Sequence, residues 1–290
     1  MVDSMLEIGI STAGSRPTEA FFRSLAEAGV GNTEVSLTYE DSLSLDYAEL
    51  SALSKKYGVK LWSYHLPFGA PDVLDIASLD EGVRNKTVSY WCELIKKGAE
   101  IGIKRFVAHP SSEPKSREAP EREREIEQSM RSLGRLADVA AEHGVTVAVE
   151  DLPRTCLGRT AEELLRLVSV DPRLRVCFDT NHLLSEDLYG FAERIADKIV
   201  TLHVSDYDFV NERHWLPGEG SIDWPRLYRI IKKSGYQGVW MYELGAKFSK
   251  TIVRERALTP ADFVNNAKEI FRGAHPTPMG IPKENLGMWG

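Results

Sequence analysis

The sequence contains little cysteine, no long hydrophobic run and no excess of basic residues, and each shortage argues against a class of protein. Three cysteines in 290 residues, none in a CxxC spacing, indicate reduced thiols rather than a disulfide framework. No segment approaches the roughly 18 consecutive apolar residues of a membrane span, and the N-terminus lacks the basic and apolar regions of a secretion signal. The formal net charge of −7 argues against a nucleic-acid partner. We therefore expect a cytoplasmic protein that binds neither membranes nor nucleic acids.

The length and composition indicate one globular domain with a full hydrophobic core. Of the 290 residues, 42% are hydrophobic and 27% are charged, which is ordinary for such a protein. Eight short apolar runs alternate with amphipathic runs whose apolar residues recur at three- and four-residue spacing. Gly58, Gly102 and Gly144 each follow an amphipathic run, at the position where a left-handed residue ends a helix. This alternation predicts eight β–α units.

Eight parallel units are the number that closes a (β/α)8 TIM barrel. A doubly wound open sheet is the alternative, but the count of eight and the absence of a GxGxxG phosphate loop argue against it. The predicted strands are Leu6–Thr12, Thr33–Thr38, Lys60–His65, Arg105–His109, Thr146–Glu150, Arg175–Asp179, Ile199–Val204 and Val239–Leu244. The predicted helices are Thr18–Ala28, Tyr47–Tyr57, Val83–Ile101, Glu121–His143, Ala161–Val168, Phe191–Ala196, Trp224–Lys233 and Ala261–Phe271. We expect a single barrel domain over residues 1–273 and an irregular tail, rich in proline and glycine, over 274–290.

The C-terminal ends of the predicted strands carry a concentration of carboxylates and imidazoles. Six of the eight strands finish in such a residue, and a TIM barrel builds its active site at this end. The residues are His65, His109, Glu150, Asp179, His203 and Glu243. Charged groups that meet in one mouth are costly unless they are paired or bind a metal. We therefore predict a divalent metal ion held by the three carboxylates and His203, a ligand set suited to Mn²⁺, Mg²⁺ or Co²⁺, with Zn²⁺ also open.

Each of the four predicted ligands also has an ordinary structural interpretation. Glu150 or Glu243 alone would fit a buried ion pair with an arginine, and Asp179 alone would fit an Asx turn in a loop. His203, between two apolar residues, would fit a core histidine. The fold places all four on adjacent strands, so metal binding explains them together where the separate interpretations do not.

Further polar residues are predicted to surround this mouth. His182 lies three residues after Asp179, and Arg213 and His214 lie in a loop rich in polar residues and glycine, as a substrate loop does. We expect these three residues to bind substrate. His65 and His109 are candidates either for substrate binding or for a second metal ion.

Ordered motifs make the sequence similar to the xylose isomerase-like TIM barrel superfamily, which contains sugar phosphate isomerases and epimerases, inosose dehydratases and AP endonuclease family 2. The motifs are Val149-Glu150-Asp151-Leu152-Pro153-Arg154, Phe178-Asp179-Thr180-Asn181-His182, Leu202-His203-Val204-Ser205-Asp206, Leu216-Pro217-Gly218-Glu219-Gly220-Ser221-Ile222-Asp223-Trp224 and Tyr242-Glu243-Leu244. The resemblance covers essentially the whole predicted barrel. It implies that Glu150 and Glu243 are metal ligands and also the two proton-transfer groups of a sugar isomerase or epimerase that works through a cis-enediolate. It also implies one divalent ion, Mn²⁺ foremost, and substrate contacts from His182 and Arg213.

A second set of residues resembles the trinuclear zinc site of endonuclease IV. His65, His109 and the run Glu212-Arg213-His214 match that site, except that the residue matching Glu212 is an aspartate there. A second metal ion near His65, His109, Glu212 and His214 is therefore an open alternative. We expect a metal-dependent isomerase or epimerase of a keto-sugar or sugar derivative. A dehydratase or lyase on a cyclic polyol, a zinc nuclease and a non-catalytic sugar-binding protein are the alternatives, and a homo-oligomer is common among such relatives.

Overall fold

The computed structural model describes residues 5–244, 250–284 and 286, and eight of its strands form one parallel sheet. These strands are Glu7–Ser11 (β1), Asn32–Ser36 (β2), Lys60–His65 (β3), Arg105–Ala108 (β4), Thr146–Glu150 (β5), Arg175–Asp179 (β6), Ile199–His203 (β7) and Val239–Tyr242 (β8). Among the described residues, the helices are Glu19–Glu27 (α1), Tyr39–Ser42 (α2), Tyr47–Tyr57 (α3), Glu81–Glu100 (α4), Ala119–Glu142 (α5), Ala161–Val168 (α6), Leu188–Ile195 (α7), Trp224–Lys233 (α8) and Pro260–Phe271 (α9). All eight predicted strands are confirmed, with their ends shifted by two residues at most.

The sheet curls into a nearly closed barrel. Neighbouring strands follow the order β7-β6-β5-β4-β3-β2-β1-β8, so each strand pairs with the next one along the chain and β8 returns to β1. The two ends of this series meet where Val204 N donates to Met241 O at 2.8 Å and Glu243 N donates to Val204 O at 3.2 Å. The predicted single-domain (β/α)8 barrel is therefore confirmed, and the doubly wound open sheet is wrong because the two edge strands join.

Local sequence signals explain where the helices begin and end. Asp46 and Asp80 accept hydrogen bonds from the first backbone N–H groups of α3 and α4, as N-cap carboxylates do. Gly58 ends α3 in a left-handed conformation with φ of +66°. Helix α7 begins three residues before its predicted start, because Asp187 caps it by accepting from Gly190 N.

A small antiparallel pair lies beside the barrel and was not predicted. Strand β9 (Ile252–Arg254) pairs with β10 (Gly280–Pro282), so the segment expected to be an irregular tail contains a short strand. Arg254 on β9 forms a buried ion pair with Glu219 in the β7–α8 loop, which ties this pair of strands to the barrel mouth. Within the described ranges, no helix combines the length and the apolarity that crossing a membrane requires.

Candidate metal centre

The four predicted ligands converge at the C-terminal mouth of the barrel. Glu150, Asp179 and His203 are the last residues of β5, β6 and β7, and Glu243 follows β8 directly. One potential ligand atom from each of the four lies within 4.8 Å of the others. His203 Nδ1 is 2.9 Å from Glu150 Oε1, 3.3 Å from Glu243 Oε2 and 3.8 Å from Asp179 Oδ2. Parallel strands whose C-terminal ends meet produce this cluster.

The surroundings of Asp179 fit a bound cation. Its side chain is fully buried, and among the described residues its Oδ2 atom has no hydrogen-bond partner. A buried carboxylate oxygen without a partner is costly, and two further carboxylates in the same cluster add repulsion. A divalent ion between these oxygens and His203 Nδ1 would satisfy all four groups, so the residues present fit the predicted metal.

Glu34 belongs to this centre, although it was not predicted from the sequence. It lies on β2 and is fully buried, and its Oε2 is 3.0 Å from His203 Nε2. Ser11 Oγ and Ser63 Oγ donate to its two oxygens at 3.1 and 2.7 Å. A carboxylate that accepts from the far nitrogen of an imidazole fixes the ring with its other nitrogen directed at a metal. The available signal was a glutamate within the otherwise uncharged, buried run Asn32–Ser36.

The pKa values of the two glutamates in the cluster are shifted in opposite directions. Burial acts to raise the pKa of Glu150, but the nearby His203 and His109 outweigh it and hold that pKa well below its usual range. Burial raises the pKa of Glu243 to about 7; the charges of Glu150 and Asp179 add to the increase, against the opposing effect of His203. Glu243 can therefore exchange a proton near neutral pH, whereas Glu150 stays ionised.

His65 and His109 flank Glu150 on the side of β3 and β4. Their Nε2 atoms are 3.1 and 3.2 Å from Glu150 Oε2. Both ring nitrogens of His65 face acceptors, since Nδ1 is 2.9 Å from the Leu66 carbonyl oxygen. Burial lowers the pKa of His65, but the hydrogen bond and charge of Glu150 outweigh it and raise the pKa to about 9. Burial lowers the pKa of His109 to about 4, so the two imidazoles differ in charge at neutral pH.

His182, Glu212 and His214 form an adjoining group, which we call the Glu212 corner, and His182 Nε2 is 3.6 Å from Asp179 Oδ2 of the first cluster. Three of their potential ligand atoms lie within 4.8 Å of one another. His182 Nε2 is 3.0 Å from Glu212 Oε1, and His182 Nδ1 donates to the Asp151 carbonyl oxygen at 2.7 Å. The four residues that were considered for a second metal ion are thus divided between two places: His65 and His109 lie with Glu150, and Glu212 and His214 lie with His182.

Arg213 lies apart from these groups. Its side chain is buried, and its Nε donates to Asp208 Oδ2 at 2.8 Å. It does not line the cavity described below, so its role in substrate binding stays a prediction.

A cavity of about 950 Å³ opens above the cluster. Its floor and sides include the predicted residues His65, His109, Glu150, His182, Glu212, His214 and Glu243. The loops after β1 to β4 supply much of the remaining wall, including Tyr39 and Phe68. Phe68 is 54% exposed and stacks on the ring of His109 with 4.5 Å between centroids. The cavity therefore combines a charged floor with an apolar rim and is large enough for a small-molecule ligand.

Comparisons with known proteins agree with this architecture. The model of the family described as "Xylose isomerase-like TIM barrel" matches residues 22–258. A probable endonuclease 4 of Acholeplasma laidlawii is 24% identical over 264 residues, which cover 81% of this chain and 87% of that protein. A ketose 3-epimerase of Arthrobacter globiformis is 24% identical over 233 residues, which cover 78% of this chain and 76% of that protein. The crystal structure of a D-tagatose 3-epimerase-like protein superposes with a TM-score of 0.75 at 24% identity, covering 84% and 92% of the two chains, which shows the shared fold.

Proposed function

Because this chain belongs to the xylose isomerase-like TIM barrel family, we propose that it is a divalent-metal-dependent isomerase or epimerase of a keto-sugar or sugar derivative. The observation that carries the proposal is the cluster of Glu150, Asp179, His203 and Glu243 beneath an open cavity, with Glu150 and Glu243 among the lining residues. The names of the ketose 3-epimerase relative and of the D-tagatose 3-epimerase-like structure support the same reaction class.

The four clustered residues would hold one divalent ion, with Mn²⁺ first among the candidates and Mg²⁺, Co²⁺ and Zn²⁺ as alternatives. Such an ion would supply electrostatic stabilisation of negative charge that develops on adjacent substrate oxygens.

The chain's own residues would move the protons. Glu243 lines the cavity and is ionised when it holds the metal, so its carboxylate is suited to remove a proton from the carbon beside a carbonyl group. The ionised Glu150, with the protonated His65 on its Oε2, provides a second carboxylate and a proton donor for the enediolate that results. Return of the proton to the opposite face of the same carbon gives an epimer, and return to the neighbouring carbon gives an isomer.

The proposal is tested by incubating the purified, metal-loaded protein with a panel of ketoses in D₂O. We expect one solvent deuterium in recovered sugar, and a rate lowered roughly 10²–10⁴-fold in Glu243→Gln, the range typical of a general acid–base residue. Glu40→Gln is the matched control, because Glu40 also lines the cavity but lies outside the four-residue cluster. Full exchange in the Glu243 variant would refute its proposed role, and a new conjugated carbonyl absorbance would indicate a dehydratase instead.

A metal-dependent nuclease is the second candidate. Two further groups, His65 with His109 and Glu150, and the Glu212 corner, each offer three potential ligands beside the first cluster. The probable endonuclease 4 relative points to the same chemistry, while the net charge of −7 opposes binding to a polyanion. Nicking of abasic duplex DNA by a protein with three zinc ions per chain would favour this candidate over the epimerase.

A further inference from the structure

Arg154 connects three loops at the wall of the cavity. It follows β5 and adopts a left-handed backbone conformation with φ of +52°, which is uncommon for a residue with a side chain. Its Nε donates to Glu113 Oε2 at 2.8 Å, and its Nη1 donates to Asn211 Oδ1 at 3.0 Å. Nη1 also donates to Glu212 Oε2. One guanidinium group therefore holds together the loops that follow β4, β5 and β7.

The contact with Arg154 makes Glu212 less available as a metal ligand. Glu212 Oε2 accepts from the guanidinium, and Glu212 Oε1 lies against His182 Nε2 at 3.0 Å. One carboxylate oxygen of Glu212 is thus already paired with a permanent donor, and the other lies against an imidazole. Arginine remains charged under all ordinary conditions, so its positive charge stays beside the Glu212 corner.

The surroundings of Glu150 are different. In the part of the chain that the structure describes, the ion pairs recorded for Glu150 involve only imidazoles, which lose their proton when they bind a metal. A divalent ion can therefore replace protons around Glu150, whereas at the Glu212 corner it would meet a fixed positive charge.

We infer that Arg154 determines how many ions the centre holds: its guanidinium occupies Glu212 and keeps the Glu212 corner free of a divalent ion. The metal is then confined to the groups that contain Glu150. If the proposed sugar chemistry is correct, on which this last step rests, His182 and His214 stay free of a metal ion and face the substrate in the cavity that they line. Arg154 is accordingly a specificity-determining residue for the metal centre rather than a catalytic one.

The experiment is a count of bound ions after loading with Zn²⁺ or Mn²⁺ and removal of the excess. We expect Arg154→Met to gain one ion per chain at the Glu212 corner, with an affinity there on the order of 10- to 100-fold higher than in the unmodified protein, the size of effect that groups around a ligand have on metal binding. The gained ion should be lost again in the double variant Arg154→Met, Glu212→Gln. Arg159→Met is the matched control, because Arg159 lies in the same loop and donates to the Arg154 carbonyl oxygen, and it should leave the count unchanged.

Even if Arg154→Met does not fold, the single variant Glu212→Gln shows whether the Glu212 corner of the unmodified protein holds an ion. If the inference is right, this variant binds as many ions as the unmodified protein. Loss of one ion in Glu212→Gln, or an unchanged count in a folded Arg154→Met, would overturn it. Ion counts do not depend on sugar turnover. If Arg154→Met gains an ion but the unmodified protein exchanges no deuterium into sugars, the proposed function is rejected and the role of Arg154 stands.

Discussion

The imidazole of His203 lies between carboxylates on both of its nitrogens. Glu34 is 3.0 Å from Nε2, and Glu150 is 2.9 Å from Nδ1. When the ring donates its Nε2 hydrogen to Glu34, the Nδ1 lone pair is directed at the other three predicted ligands. Glu34 therefore sets the tautomer that a metal requires, from the opposite side of the ring.

Replacement of Glu34 by glutamine should weaken metal binding without removing a ligand. The neutral amide holds the imidazole less firmly and removes the charge that makes His203 a better donor, so we expect a loss on the order of 10- to 100-fold in Mn²⁺ affinity. Titration with Mn²⁺ followed by electron paramagnetic resonance measures it. Ser63→Ala is the control, since it removes one hydrogen bond to Glu34 but keeps the carboxylate, and an equal loss in both variants would contradict a special role for the charge.

The sequence allowed the four clustered residues to be predicted because each ends a strand or follows it directly, where alternation alone locates it. Glu34 was not predicted as part of the centre, because its partner His203 lies 169 positions away in the sequence and no neighbouring residue indicates this contact. The position of Arg154 depends on three loop conformations at once, and loop geometry is the part of a barrel that periodicity does not describe. The ion pair between Arg154 and Glu212 could therefore not be predicted from the sequence.

At the scale of elements, eight of the nine α-helices in the described residues were predictable because their apolar spacing and their caps agree; the four-residue α2 was not, because it is too short to show helical periodicity. The pair β9 and β10 was not, because strands of three residues are too short to show alternation, and their position depends on the ion pair between Arg254 and Glu219. Where a helix packs closely against a strand, there is room only for a residue without a side chain, and the sequence shows this contact only as a glycine. In α4, a Cβ atom at Gly98 would lie 2.7 Å from Phe106 Cε1, and Phe106 is itself fully buried on β4.

Two helix glycines should respond to alanine in opposite directions. Gly98→Ala should lower the free energy of unfolding, because overpacking typically costs about 1–3 kcal/mol and exceeds the gain in helix propensity of roughly 1 kcal/mol. Apart from its chain neighbours and the backbone of its own helix, Gly134 in α5 has no atom within 4 Å of an added Cβ, so Gly134→Ala should stabilise the protein by up to about 1 kcal/mol. Urea unfolding measures both, and a shift of the same sign in the two variants would show that Phe106 yields to the new methyl group.

At the scale of the whole molecule, the metal cluster joins the last four strands of the barrel, including β7 and β8, where the ring of strands closes. The protonation of the Glu243 side chain in this cluster depends on pH. Because its pKa in the folded protein is about 7, above the ordinary value of 4.5, the metal-free folded state holds this proton more tightly than the unfolded state does. The contribution of this group to stability is thus present below about pH 4.5 and is lost as the pH rises through about 7.

A divalent ion requires the ionised carboxylate, so its stabilising effect should grow as the pH rises through the same range. We expect the increase in melting temperature on addition of Mn²⁺ to be larger at about pH 8 than at about pH 5.5, and to correspond to about 2.7 kcal/mol when the ion is at 100 times its dissociation constant. Differential scanning calorimetry at both pH values measures it. Glu243→Gln should reduce the pH dependence and leave the part that comes from proton release by His203, and an equal gain at both pH values in the unmodified protein would rule out proton release from Glu243.

The four clustered residues all lie between residues 150 and 243, whereas much of the cavity rim comes from the loops after β1 to β4. The barrel is therefore divided along its chain: the second half supplies the four predicted metal ligands, and the first half supplies much of the surface that a substrate meets, together with the supporting residues Glu34 and His65 on its strands. Loops of the first half could be exchanged with those of another barrel of the family while the reacting groups keep their places. New substrate preferences are accordingly accessible by grafting the early loops, without rebuilding the centre itself.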